Sequence, residues 1–257
     1  EFLMDCVENE ALSQRRRERA QSCLFLQELA NEKSDADFSA GGIITDKSYY
    51  QRYSAEKKNN PITMMAYNRV AAGVARFRFT DYTAADFAAH TQRLRARAQA
   101  GEARMKLAAE AFALVSEAGF RTLGYRHHQV QYVGAAAMLD GKISEILNGE
   151  GKTYTITLVA YVNSLYSDKG FILDDSVYLT ERNYKWMRGL YGFLGLKTGC
   201  RIPGTDPFAE DPQIIYAHFP SFGFKVLHWE NGRQLPAVDL SRCSAIVDEA
   251  DTLLIEK

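Results

Sequence analysis

The chain has 257 residues, 46% of them hydrophobic, which is ample for the buried core of one large domain or two small ones. Its 31 basic residues nearly cancel its 32 acidic ones, and a formal net charge of -1 gives no overall pull towards nucleic acid or anionic lipid. No run of about 18 apolar residues marks a membrane span, and the N-terminus lacks the basic-then-apolar order of a signal peptide. Cys6, Cys23, Cys200 and Cys243 form no C-x-x-C pair and no Cys/His cluster, which argues against a zinc site or disulfide framework and fits a reducing, cytosol-like setting.

From about Glu8 to Lys33 there is no Gly or Pro, and Leu12, Cys23, Leu24, Leu26, Leu29 and Ala30 are spaced for a helix. Its Arg15-Arg16-Arg17 cluster reads as a solvated face. Ser34 to Asn60 is polar and aperiodic, as a loop or linker would be. Thr83 is placed to cap a helix running to Ala100, and a second helix spans about Ala103 to Leu123, ended near Gly124; the two are expected to form an antiparallel pair. Beyond Gly124 the text alternates. A helix is expected near His127–Leu139, a strand over Lys142–Leu147, a helix from Lys152 to Leu165, and strands at Phe171–Leu173, Ile214–Tyr216 and Ala245–Val247, with a helix over about Thr180–Leu194. That order predicts an α/β fold: a three-layer, mostly parallel sheet with helices on its faces, behind a helical N-terminal region.

Within it, Ile143 to Thr153 reads as a strand running into Gly149-Glu150-Gly151-Lys152-Thr153 and then a sustained helix. The glycines let backbone N–H groups close around phosphate oxygens, the helix presents its positive end, Lys152 reaches the β- and γ-phosphates, and Thr153 can ligate Mg²⁺. Ile146 stands where the strict G-x-x-x-x-G-K-[ST] pattern has its first Gly. Ser244-Ala245-Ile246-Val247 reads as a strand ending in Asp248-Glu249-Ala250-Asp251, with Asp248 96 positions after Lys152. At such a strand end Asp248 would hold Mg²⁺, and Glu249 would orient and deprotonate the attacking water. The pair of motifs predicts the nucleotide site of a P-loop (RecA-like) motor, with a nucleotide and Mg²⁺ as its ligands.

Glu110-Ala111-Phe112-Ala113-Leu114-Val115-Ser116-Glu117-Ala118 resembles the E-A-F-A-x-V-x-E-A helix of the SecA-type preprotein translocase ATPases, and Leu123-Gly124-Tyr125-Arg126-His127-His128-Gln129-Val130-Gln131 is similar to their L-G-M-R-H-F-D-V-Q. The chain shares the family's G-E-G-K-T loop. Thr157 to Leu165 resembles T-L-P-A-Y-L-N-A-L, Phe193-Leu194-Gly195-Leu196 repeats F-L-G-L, and Ala245 to Glu249 repeats A-I-V-D-E. The resemblance, from about Phe112 to Lys257, implies the first nucleotide-binding (DEAD-like) lobe of a translocase. On it, residues 1–80 are an N-terminal extension, 81–124 a helical lead-in, and 125–257 an α/β core incomplete at its C-terminal end. It implies that Gln131 reads the adenine edge, with Tyr125 and His128 flanking the base, and that Arg182 belongs to the nucleotide-binding set. Implied partners are unfolded preprotein and a Sec-type membrane channel, with homo-oligomers allowed and nucleic acid disfavoured. The implied location is cytoplasmic, with peripheral association at the membrane.

The chain departs from the family at two places. Where the pattern is V-T-V-N-D-Y-L-A-x-R-D, Asp174 to Asn183 aligns only at Tyr178, Leu179 and Arg182, and its acidic pair Asp174-Asp175 is costly in a buried strand unless exposed. Ala217-His218-Phe219-Pro220 replaces a second polar run. Glu1 rather than Met opens the chain, so both ends are expected to be fragment boundaries, and a lobe lacking the partner lobe's arginine finger is expected to bind ATP better than it hydrolyses it. Two alternatives stand beside this reading. One is a DEAD-box-type helicase lobe, suggested by the literal Asp248-Glu249-Ala250-Asp251; the other is a diverged SecA-like scaffold without motor activity.

Overall fold

The computed structural model describes residues 61–146, 149–203, 212–223, 240–250 and 252. The helix expected over Glu8–Lys33 and the loop over Ser34–Asn60 lie outside the described residues. The first described element is α1 (Pro61–Gly73). Tyr67, Val70 and Ala71 of α1, then Val74 and Phe79, join the main core, so that core begins upstream of residue 81.

Thr83 caps α2 (Ala84–Gln99): its hydroxyl accepts from the Asp86 N–H, while the Asp86 carboxylate accepts from the Thr83 N–H at 2.8 Å. The next helix, α3 (Arg104–Leu123), ends at Gly124, whose φ of 68° is the left-handed cap that glycine adopts without strain. Contacts nest around the short connection, as in an antiparallel pair: Arg97 reaches Glu102 at 2.9 Å and Glu110 at 2.6 Å, and His90 meets Glu110 at 2.9 Å.

After α4 (Gln129–Leu139), the chain enters α5 (Lys152–Tyr166), which is buried without interruption from Thr155 to Leu165. A helix covered on all sides is a core element rather than a surface one. It packs against α2, α3 and α4 and against strands β1 (Lys169–Asp174) and β4 (Cys243–Val247). Between these strands come α6 (Val177–Phe193), β2 (Thr198–Arg201) and β3 (Ile214–His218). All pairings are parallel, in the order β2-β3-β1-β4, so the described sheet is the α/β arrangement expected from the sequence.

One expected strand is absent. Residues 142–146 form no strand, and β4 stands at the edge of the described sheet. The stretch is anchored on α4, where the Ser144 hydroxyl donates to the Gly134 carbonyl at 3.0 Å. Ile143 and Ile146 line a cavity of about 50 Å³ shared with Met64, Tyr67 and Val133. Their apolar side chains therefore face α1 and α4 instead of joining the sheet.

Candidate functional site at the strand ends

The glycine loop takes its shape from two left-handed residues, Gly149 at φ 89° and Gly151 at φ 82°. Gly151 is also the N-cap of α5, and a Cβ there would lie 2.3 Å from Gln131 Nε2 and 3.3 Å from the Tyr125 hydroxyl, so a side chain would displace the Gln131 amide. Gly149 and Glu150 are exposed; Lys152 and Thr153 are half-buried in the first turn of α5. Because α5 is fixed on the core side of the sheet, its positive N-terminal end sits at the carboxyl ends of β1 and β4.

There Lys152 meets the acidic residues. Its Nζ lies 3.2 Å from Asp248 Oδ1 and also pairs with Glu249 Oε1. Asp248 is held in line because its N–H donates to the Leu173 carbonyl at 2.9 Å. Glu249 follows at a positive φ of 52°, its N–H donating to Asp248 Oδ1 at 3.0 Å. This is a left-handed conformation in which a non-glycine residue is uncommon, and it aims Glu249 at the lysine. Burial works against the charge of Lys152, but the pairing with Glu249 and Asp248 prevails and raises its pKa. The pair is lopsided: burial raises the Asp248 pKa despite the nearby lysine, and the charge of Glu249 adds to the effect.

Asp174 is placed where the sequence made an acid costly. It is 2% exposed, its Oδ2 has no hydrogen-bond partner, and burial followed by the charge of Asp248 pushes its carboxyl up to about 7. Exposure does not relieve it, because β1 is a central strand, flanked by β3 and β4. Asp175, one residue on, is half-buried.

Gln131, Tyr125 and His128 lie behind the loop. The helix starts at Gln129, with His128 as its N-cap rather than inside it. Gln131 reaches back so that its Oε1 accepts from the His128 N–H at 2.9 Å and from the Tyr125 hydroxyl at 2.8 Å. Its Nε2 donates to the Glu150 carbonyl at 3.1 Å and the Gly151 carbonyl at 3.5 Å. In this arrangement the amide fastens the glycine loop to α4. Tyr125 has one face covered by Tyr154, stacked at 3.7 Å and 11°, and Trp186 meets Tyr154 edge to face at 5.2 Å. His128 is exposed, and its ring stands edge-on to Tyr125 at 5.9 Å. Arg182 is exposed on α6, donates to Asn183 Oδ1 at 3.1 Å, and contributes positive charge near Asp174.

The structure thus brings Lys152, Asp248, Glu249 and the loop together, places Gln131 and Tyr125 against the loop, and leaves His128 and Arg182 at the rim. Sequence reasoning missed Tyr154, which follows the Lys-Thr pair directly, and Trp186; an aromatic at the helix start was the only available signal. Among the described residues no group of three or more His, Cys, Asp or Glu side chains forms a metal cluster, and no helix is long and apolar enough to cross a membrane.

A parallel sheet, a glycine loop opening a buried helix, and an acidic strand end ion-paired to the loop lysine define an α/β fold of the RecA-like kind. The chain belongs to the SecA DEAD-like domain family, whose model matches residues 51–257. It is 38% identical over 183 residues to the protein translocase subunit SecA of Coxiella burnetii, covering 67% of this chain and 20% of that protein. It is 39% identical over 187 residues to the subunit of Arthrobacter sp. (70% and 20%), and 36% identical over 207 residues to that of Polynucleobacter asymbioticus (77% and 22%). The chain spans about a fifth of the length of these relatives.

Proposed function

We propose that this chain binds ATP with Mg²⁺ at the glycine loop and serves as the first nucleotide-binding lobe of a SecA-type motor, which couples hydrolysis to the movement of unfolded polypeptide through a membrane channel. The observation that carries the reading is the ion pairing of Lys152 with Asp248 and Glu249 across the mouth of a loop whose two glycines are both left-handed. A lysine held between two carboxylates at a helix N-terminus is poised to exchange them for phosphate oxygens, which carry more charge and accept more hydrogen bonds.

The donor set fits a hard divalent cation beside phosphates. Thr153 stands in the first turn of α5, and Asp248 is a buried carboxylate whose neutralising lysine the phosphates would draw away. Thr153 and Asp248 would hold the cation, which when bound neutralises developing charge on the phosphates. Release of Lys152 frees Glu249, whose Oε1 would orient a water and accept its proton. Gln131 and Tyr125 stiffen the loop from behind; reading an adenine edge would require the Gln131 Nε2 to give up one of its loop carbonyls. His128 and Arg182 lie at the rim, where His128, beside Tyr125, would flank the base and Arg182 would add positive charge towards the phosphates.

Calorimetric titration of ATP·Mg²⁺ into the chain tests the reading. Saturable binding of one nucleotide is expected, abolished by Lys152→Ala.

A further inference from the structure

The strand ends hold one carboxylate that the site described above does not use. Asp174 closes β1 with 2% of its surface exposed and with Oδ2 lacking any hydrogen-bond partner. A buried carboxyl group with one oxygen left unpartnered is uncommon enough to need a reason.

Its placement follows from register. β1 and β4 run parallel with Leu173 opposite Val247, and the Asp248 N–H donates to the Leu173 carbonyl, so Asp174 and Asp248 occupy the next positions along the pair. Side chains alternate along a strand. Ile172 and Ile246 belong to the main core, with α5, whereas Phe171, Leu173 and Val247 pack on the opposite face. Two residues beyond Ile172 and Ile246, Asp174 and Asp248 therefore share the α5 face, near Lys152. The groups acting on Asp174 are Asp248 and Lys152 and, from α6, the Arg182 guanidinium and the Asn183 amide.

We infer that Asp174 is a second acidic ligand, beside Asp248, for the divalent cation that accompanies the nucleotide phosphates. The inference rests on the nucleotide reading above. Phosphates that draw Lys152 off Asp248 leave two buried carboxylates side by side without their shared cation. A divalent ion restores the balance, and Mg²⁺ is commonly held by one or two carboxylates together with phosphate oxygens. The unpartnered Oδ2 is a donor already desolvated and in place, able to ligate directly or through a bound water. Arg182 is exposed and already engaged with Asn183, so it is poorly placed to take over this role.

The test uses the whole chain, a non-hydrolysable ATP analogue and Mn²⁺, with free Mn²⁺ read by electron paramagnetic resonance. Asp174→Asn removes the charge with the same shape, and Asp174→Thr supplies the residue type of the family pattern when Tyr178, Leu179 and Arg182 are aligned. In variants with the wild-type melting profile, Mn²⁺ retention in the ternary complex falls at least tenfold. Affinity for the analogue in EDTA stays the same or rises, because one repelling charge is gone. Opposite effects with and without metal separate a ligand from a merely structural residue. Mn²⁺ retention within threefold of wild type in a folded variant, or equal losses with and without metal, overturns the inference. A wild-type chain that binds no analogue under either condition defeats the nucleotide reading itself, before any Asp174 variant is compared.

Discussion

Replacing His127 by glutamine should change how the protein's stability responds to acid. His127 is 7% exposed; its Nε2 donates to the Tyr154 carbonyl at 3.0 Å, its N–H donates to Ser116 Oγ at 3.2 Å, and its Nδ1 has no partner. Burial pushes the imidazole pKa down to about 4, an effect the Tyr154 carbonyl only partly opposes. The ring is therefore neutral in the folded protein over a range where the unfolded chain is protonated. A depressed folded pKa contributes stability that is fully present above the unfolded value of about 6.5 and is lost as pH falls towards 4. By linkage the loss is about 1.4 kcal/mol at pH 5.5 and approaches about 3.4 kcal/mol at still lower pH. Glutamine can keep a donor towards the Tyr154 carbonyl and does not titrate. Urea unfolding of both proteins at pH 7.5 and 5.5 measures the difference directly. His127→Gln is expected to be less stable than wild type at pH 7.5 because packing is altered, but to lose about 1.4 kcal/mol less than wild type on moving to pH 5.5. Equal losses in the two proteins would refute the buried, neutral histidine.

The glycine loop gives a second prediction: Gly151→Ala forces a side chain into a left-handed residue and against Gln131 Nε2, so urea unfolding should show a loss of about 1–2 kcal/mol from conformation alone. In calorimetry the same variant should bind ATP·Mg²⁺ at least tenfold more weakly, and undiminished affinity would mean that the loop does not cradle the phosphates. Glu249→Gln, by contrast, should leave ATP·Mg²⁺ affinity within a few-fold while lowering steady-state ATP turnover about 10²-fold or more, the range expected for a lost general base. Normal turnover in that variant would remove Glu249 from the chemistry.

Much of the architecture was legible because local signals and tertiary demands agree. Thr83 with Asp86 marks the start of α2, Gly124 the end of α3, and the long apolar stretch after Lys152 is the buried helix that fixes the site. The loop lysine and the acidic strand end were legible as types in order, and the fold brings them into contact although Glu249 stands 97 positions after Lys152. Other features depend on neighbours that a sequence does not display. Ile143 to Ile146 looks like a strand by composition, yet it lines a cavity with α1 and α4 because Ser144 is tied to Gly134. In α1 the alanines and Asn68 dilute any stripe, and its helix is held by packing and by the Tyr67 hydroxyl donating to Asp140 at 2.6 Å. The burial of Asp174 follows from β1 lying between β3 and β4, which no local pattern reveals. Gln131 was legible only through family resemblance, and its hold on Glu150 and Gly151 is a tertiary fact.

Nucleotide binding here depends on Lys152 exchanging its carboxylates for phosphate oxygens. Isothermal titration of ATP·Mg²⁺ into the wild-type chain and into Lys152→Ala, each checked by circular dichroism for an intact fold, tests it most directly. One saturable site in wild type and at least a hundredfold weaker binding in the variant is the expected result; unchanged affinity in a folded Lys152→Ala protein would contradict it.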